Sequence, residues 1–457
     1  MTFPHEIFKA YDIRGVVETT LTPKMVKQIG KALGSEAIEN GISTAVIGWD
    51  GRLTGPGLAE ALADGYMSTG CDVIEIGQVP TPTLYYATVQ LGTGTGVQVT
   101  GSHNPPEYNG LKMMIGGKTL SGDAIQKIKQ RVIDQNFVVG QGSITRKEML
   151  SQYCQAILDD VHLARPLKVV LDCGNGVGGA AAPEVFRKLG CEVVELFCEV
   201  DGSFPNHHPD PSQLQNLQDL IAAVAEHKAD FGMAFDGDAD RLGVVTASGN
   251  VIWPDRQMVL FSRAILQATP GAEIIYDVKC SQILPAIIRQ NGGVATMWKT
   301  GHSFIKSKLK ETGAALAGEM SGHIFFNDRW GGFDDGIYAG ARLCELLTNM
   351  DQSPEAVFSS IPDTVNTPEL RLEMDEGEHY ALVDELVDAA VFDDARVSTI
   401  DGVRVDFDGG FGLIRASNTT PTVIMRFEAS TDAQLEDIQN RFRNLIQEVR
   451  PGLSLPF

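Results

Sequence analysis

The amino-acid sequence predicts an α/β protein of three successive α/β domains followed by a smaller α+β domain. Three observations predict it. Short apolar runs alternate with helical patterns as far as Ile361–Pro368. The alternation restarts near Pro166 and again near Trp253, so each round is domain-sized. Past Ile361–Pro368, a stretch with Pro362, Asp363, Asn366 and Pro368 that reads as a linker, neighbouring strands and one long helix replace the alternation.

In the first round Thr44–Trp49 (TAVIGW) reads as a strand, and Gly57–Thr69 as a helix with Leu58, Ala61, Leu62 and Tyr66 at helical spacing. Val73–Ile76 is the next strand and Leu84–Leu91 a short helix. Val97–Thr100 is a strand that runs into a Gly/Asn/Pro loop. Apolar runs joined by helices point to a parallel, buried sheet. The second round offers strand Lys168–Leu171, helix Ala181–Leu189, strand Glu192–Leu196, helix Leu214–Glu226 and strand Phe231–Phe235. The third offers helix Gln257–Ala268, strand Glu273–Val278, helix Ile283–Gln290 and strand Ala314–Ala317. No close residue-level repeat links the rounds. In the tail Val397–Phe407 and Thr422–Phe427 read as strands. Ala433–Val449 reads as a helix, with Leu435, Ile438, Phe442, Leu445 and Ile446 three or four apart.

Composition narrows the function. The 457 residues are 43% hydrophobic and 21% charged, which is globular and excludes a disordered, collagen-like or coiled-coil chain. No apolar run approaches the ~20 residues of a membrane helix. Met1–Ala10 holds Pro4, His5, Glu6 and Lys9 without an apolar core, so no secretory signal is expected. Seven cysteines without regular spacing fit a reducing cytoplasm, with neither a disulfide framework nor a cysteine-rich zinc site. The net charge of −22 disfavours nucleic acid. It also demands local Arg and Lys if the substrate is a phosphate ester.

Four loops carry chemistry. Thr100-Gly-Ser-His-Asn-Pro-Pro106 follows a buried strand; Gly101 permits a sharp turn and Pro105 and Pro106 delay any helix, holding Ser102 out as a nucleophile. Lys112, in an apolar run just beyond, reads either as a desolvated proton-transfer group or as a lysine whose stem covers the surface. Asp236-Gly-Asp-Ala-Asp-Arg241 places three carboxylates at alternate positions directly after a buried strand, an oxygen-only set suited to Mg²⁺. Gly318-Glu-Met-Ser-Gly-His323 offers groups that can bind vicinal sugar hydroxyls. Thr300-Gly-His-Ser303 and Asp277-Val-Lys-Cys280 are weaker strand-end clusters. Arg415-Ala-Ser-Asn-Thr-Thr420 is a donor-rich cradle for a phosphate dianion. Each loop alone also reads as an ordinary polar turn.

Two rival readings exist. Gly174, Gly176 and Gly179 fit the dinucleotide pattern, with Glu195 near the end of the next strand, as in an NAD-dependent oxidoreductase. Asp172 and Cys173 crowd that turn, however, and Pro183 falls early in the helix. The other rival is a metal-dependent phosphatase with an aspartate nucleophile in the Asp236 loop.

Taken in order, FKAYDIRG (8–15), TGSHNPP, CGNGVGG, FPNHHPDP (204–211), FDGDADR, DVKC, WKTGH, GEMSGH and RASNTTP resemble the α-D-phosphohexomutase family, and within it the bacterial phosphomannomutase/phosphoglucomutase group of polysaccharide precursor synthesis. The resemblance runs over nearly the whole chain. It implies three topologically similar α/β domains with mixed sheets and an α+β fourth, set around a central cleft at 1–148, 149–250, 251–362 and 363–457. It implies that Ser102 carries a phosphoryl group and, with Asp236, Asp238 and Asp240, binds one Mg²⁺. Lys112, Arg14, His302 and Arg241 would assist catalysis. Tyr11, Lys279, Glu319, Ser321 and His323 would contact substrate, and Arg415, Ser417, Asn418 and Thr419 the non-reacting phosphate. The implied activity interconverts the 6- and 1-phosphates of mannose and glucose through a hexose 1,6-bisphosphate, with glucose 1,6-bisphosphate as activator. The implied state is a cytoplasmic monomer acting on small hexose phosphates, away from membrane and nucleic acid. One departure is Ala239, where the family usually has Gly; the methyl is expected to be tolerable only if φ there is not positive.

Overall fold

The computed structural model describes residues 3–457; Met1 and Thr2, which open the N-terminal stretch read as having no leader, lie outside the described residues. In the first domain Thr44–Trp49 lies between Asp72–Gln78 and Gly96–Val99, all parallel, because helices Gly55–Met67 and Thr81–Gln90 return the chain across the sheet. The segment between Val99 and Tyr108 is too short for such a crossover. Tyr108–Ile115 therefore comes back antiparallel on Gly96–Val99. Ile13–Val16 and Lys118–Thr119 add antiparallel pairs and Ile144–Arg146 a parallel one, completing a seven-stranded sheet. The parallel sheet expected from apolar runs is thus mixed.

The second sheet runs Val251–Ile252, Leu242–Thr246, Phe231–Phe235, Lys168–Asp172, Glu192–Leu196. The third runs Val294–Trp298, Glu273–Asp277, Leu316–Gly318, Ile324–Phe326. Both repeat one arrangement of the first: a leading strand flanked in parallel by the second and third, with the fourth returning antiparallel on the third. Each chemical loop of these domains fills the same turn, between the third strand and its return. The repeat is therefore topological. Its one sequence trace is a buried aspartate at or just past each leading strand: Asp50, Asp172 and Asp277.

The fourth sheet is antiparallel, in the order Val365–Asn366, Thr422–Ala429, Gly410–Ala416, Val403–Phe407, Arg396–Ser398, with Leu370–Glu373 also on Thr422–Ala429. Two expectations change. The stretch read as a linker contributes the strand Val365–Asn366. The single strand expected over 397–407 is a hairpin, turned at Gly402 with φ 76°. Helix Asp432–Val449 buries Ile438, Phe442, Leu445 and Ile446 on the sheet. Other helices start earlier than their apolar spacing suggests, at Thr81 and Pro254, each with proline in the first turn.

The first and fourth domains have separate cores, whereas one apolar core runs through the second and third. It joins Val169, Phe186 and Phe231 to Ile274, Leu316 and Phe358. Helix Gly336–Thr348, almost entirely buried, lies between the two sheets. Its cap, Asp335, takes the Tyr338 N–H at 2.9 Å and the Tyr153 hydroxyl at 2.7 Å.

Candidate active site

The loops of all four domains line one cleft of about 1080 Å³. On its floor Ser102 is only 1% exposed, with φ 48°. The residue expected to project from a strand end is instead recessed. Its hydroxyl donates to Asp236 Oδ2 at 2.8 Å and lies 3.2 Å from His103 Nδ1. A left-handed backbone at a serine costs about 1–2 kcal/mol, so something must hold it. Arg52 does so. Its Nη2 donates to the carbonyls of Ser102 (2.8 Å) and Asn104 (2.5 Å), and its Nη1 to those of Pro105 (2.6 Å) and Tyr108 (2.9 Å). Asp50 sits 3.3 Å from Arg52 Nε and takes the Thr100 hydroxyl at 2.7 Å. The guanidinium also stacks over Phe204 of the second domain.

Asp236, Asp238 and Asp240 are fully buried, and each offers an oxygen within 4.8 Å of the others. The loop curls because Ala239 adopts φ 61°, which overturns the expectation that alanine there excludes positive φ. Asp236 Oδ1 accepts the N–H groups of Asp240 and Arg241, both at 3.1 Å. Thr81 donates to Asp238 Oδ2. Lys112 pairs with Asp238 at 2.7 Å and with Asp240. Burial opposes charge on the Lys112 ammonium, yet Asp238 and Asp240 outweigh it and hold its pKa above the usual lysine range. Burial, reinforced by Asp238 and Asp240, pushes Asp236 well above the usual carboxylate range. Asp238 Oδ1 and Asp240 Oδ1 are buried without a donor. Converging carboxylate oxygens with unused lone pairs fit a hard divalent cation such as Mg²⁺.

Arg241 Nε lies 3.7 Å from Asp236 and donates to His323 Nε2 at 3.1 Å. His323 turns Nδ1 to Asp240 (3.3 Å) and Asp334 (3.1 Å), so this cleft-lining residue also buttresses Arg241. Arg14 is held by Asp12 at 2.5 Å and by Asn104. Tyr11 meets the His302 ring edge-on at 5.4 Å. Glu319 Oε1 takes the Gly301 N–H at 2.5 Å, and burial raises its pKa above the usual range. Ser321 lines the same wall, and Lys279 reaches Glu369 of the fourth domain at 3.2 Å.

In the fourth domain Arg415 is anchored through Nε to Asp401 Oδ2 at 3.0 Å, while its buried Nη2 has no partner. The next turn folds on Ser417 Oγ, which accepts the N–H groups of Thr419 and Thr420 at 3.3 Å; Asn418 and Thr419 line the cleft. Every site residue implied by the resemblance thus lines this cleft or, like Asp236, Asp238 and Asp240, touches a residue that does. Sequence reading missed Arg52, Asp50, Thr81 and Asp334. Asp50-Gly51-Arg52 had a signal, since it follows a buried strand as the Asp236 loop does.

The glycines of the dinucleotide-like turn serve packing. A side chain at Gly176 would meet Gly237 at 2.9 Å, and the Val177 N–H donates to the Gly237 carbonyl at 3.1 Å. Glu195 is spent on Arg187 at the surface. The turn braces the carboxylate loop.

Comparison with known proteins agrees with this geometry. Profiles described as phosphoglucomutase/phosphomannomutase alpha/beta/alpha domains I, II and III match residues 5–138, 151–249 and 253–365. The C-terminal domain profile matches 369–445. The chain is 50% identical over 456 residues to a phosphomannomutase/phosphoglucomutase of Pseudomonas aeruginosa, covering 100% of this chain and 98% of that protein. It is 52% identical over 455 residues to a phosphoglucomutase of Neisseria meningitidis, covering 99% and 98%. A crystal structure of a phosphoglucomutase/phosphomannomutase family protein from Burkholderia thailandensis superposes with TM-score 0.94 at 51% identity, covering 99% of each chain.

Proposed function

Since the chain belongs to the phosphoglucomutase/phosphomannomutase family, we propose that it is a phosphohexomutase interconverting the 6- and 1-phosphates of glucose and mannose. One observation carries the reading: the Ser102 hydroxyl lies 2.8 Å from Asp236, one of three clustered buried carboxylates, in a cleft that the Arg415 cradle also lines. Phosphoryl transfer requires mainly positioning and charge neutralisation, and the cleft offers both.

Phosphorylated Ser102 gives its phosphoryl group to the free hydroxyl of the bound sugar phosphate, forming a hexose 1,6-bisphosphate. The bisphosphate turns over in the cleft, and the other phosphate returns to Ser102. Asp236, Asp238 and Asp240, with the Ser102 phosphate, would hold a Mg²⁺ that neutralises charge on the transferring group. Arg241 adds positive charge beside Asp236, and Lys112 and Arg14 are the proton-bearing groups near the reacting oxygens. Glu319 accepts the sugar O3 and O4 hydroxyls, with Ser321, His323, Lys279 and Tyr11 around the ring. Arg415, Ser417, Asn418 and Thr419 take the phosphate that is not reacting.

The domain division 1–148, 149–250, 251–362 and 363–457 gives each domain one loop. One chain supplies every wall of the cleft, which supports a monomer. Seven buried free cysteines support a cytoplasmic setting, and no helix among the described residues is long and apolar enough to cross a membrane.

Intact-mass measurement with peptide mapping, beside a coupled assay on glucose 1-phosphate and mannose 1-phosphate, tests the reading. The expected result is a phosphate on Ser102 and turnover of both sugars, lost in Ser102→Ala while sugar phosphate still binds. Full turnover by Ser102→Ala overturns it.

A further inference from the structure

Lys306 belongs to none of the loops above, yet it lies directly behind one cleft residue. It follows His302 by one turn of helix His302–Thr312, so the two side chains share a face. Its ammonium has three protons and three acceptors: the Tyr85 hydroxyl at 2.9 Å, Asp334 Oδ1 at 2.7 Å and His302 Nδ1 at 3.0 Å. The side chain is 9% exposed and its charge lies 4.1 Å from the Tyr85 ring centre. An ammonium donates and cannot accept. His302 Nδ1 must then present its lone pair, and the ring proton sits on Nε2.

His302 Nε2 is buried without a protein partner, on a residue that lines the cleft. The ring is held by Tyr11 edge-on at 5.4 Å and by His323 stacked at 5.5 Å. We propose that Lys306 is a positioning residue that fixes His302 as the Nε2–H tautomer, so that His302 offers the bound substrate a hydrogen-bond donor and not a base. The neighbouring charges agree. Burial, then the Lys306 ammonium, holds His302 well below the usual imidazole range; Asp334 opposes this through Oδ2, which lies 3.6 Å from Nδ1, farther than the Lys306 ammonium at 3.0 Å. A proton taken by the ring would create a second cation 3.0 Å from the first. Only the acceptor on the substrate, a sugar hydroxyl or phosphoryl oxygen, depends on the mutase reading.

Long-range proton–nitrogen correlation on ¹⁵N-labelled, substrate-free protein reads the tautomer directly, with the His302 signals identified by their loss in His302→Gln. The expected spectrum has an unprotonated Nδ1 and a protonated Nε2. A protonated Nδ1 in the wild-type protein overturns the proposal whatever the assay shows, and needs no folded Lys306 variant. Lys306→Met should mix the tautomers and lower kcat/KM by about tenfold or more, the scale of one charge-assisted hydrogen bond, mainly through kcat. Lys306→Gln, whose amide can still donate to Nδ1, should recover the Nε2–H tautomer and part of the rate. Wild-type kcat and an unchanged tautomer in Lys306→Met would remove Lys306 from this role.

Discussion

The Arg52 guanidinium grips the main chain around Ser102, its Nη2 2.8 Å from the Ser102 carbonyl oxygen. Four carbonyls converge on this one cation, which is 1% exposed. The left-handed backbone of Ser102 is thus fixed by a side chain outside its own loop.

Arg52→Lys is therefore expected to damage both stability and rate. An ammonium has three donors and no planar fork, so at least one buried carbonyl is orphaned, at about 1–3 kcal/mol. Thermal unfolding should shift down, and kcat should fall at least about tenfold while sugar-phosphate affinity changes less. Unchanged kcat in a destabilised variant would separate the grip from catalysis.

Ala239 tests the backbone of the carboxylate loop. Glycine there relieves about 1–2 kcal/mol of left-handed strain and forfeits a buried methyl worth about 0.8 kcal/mol. Ala239→Gly should then shift stability by less than about 1 kcal/mol and keep its activity. Ala239→Val, β-branched at φ 61°, should lose more than about 2 kcal/mol in chemical denaturation.

Removing metal should silence the enzyme. Chelated protein is expected to be inactive and to recover with Mg²⁺. Asp238→Asn should lose activity by orders of magnitude and need more Mg²⁺ for what remains. NAD should neither bind nor be reduced. Normal turnover of chelated enzyme without added metal would refute the site.

Glu319→Gln should weaken glucose and mannose substrates by similar factors, because the two sugars differ at C2 and share O3 and O4. Steady-state kinetics on both decides; a loss confined to one sugar would place C2 against Glu319.

Arg415→Ala removes the cation whose Nη2 is left without a protein partner. Loss of one charge-assisted contact, about 1.5–3 kcal/mol, predicts a kcat/KM lower by about 10–100-fold or more, roughly equal for both sugars and both directions. Unchanged kcat/KM would leave the Ser417–Thr420 turn without a phosphate role.

These outcomes rest on loops that were legible for a physical reason. Asp236 and Glu319 directly follow buried strands and Ser102 lies three residues past one, where a change of chemistry stands out against apolar neighbours. Arg52 stayed hidden because its partners are main-chain carbonyls, which any sequence possesses. The Asp334–His323 contact stayed hidden because it forms across a strand turn. In the fold, Tyr108–Ile115 was passed over as a strand because Asn109, Gly110 and Lys112 interrupt its apolar residues. Lys112 is buried against Asp238 and Asp240, Asn109 against Thr54, and Gly110 against the carbonyls of Ile13 and Thr100, not by an apolar core. Helix Pro23–Glu39 was likewise unassigned, although Thr22 caps it through the Met25 N–H and Pro23 opens it.

The core common to the second and third domains matters while the protein is being made. When the ribosome has released residue 250, Val169, Phe186 and Phe231 are present, but Ile274, Leu316, Ile337 and Phe358 are not. Roughly 100 further residues must emerge, ~5–20 s at usual elongation rates, before that face is covered. Over this interval the nascent chain offers an apolar surface to chaperones and to its neighbours on the polysome. A gene fragment that stops at the second domain would make that exposure permanent.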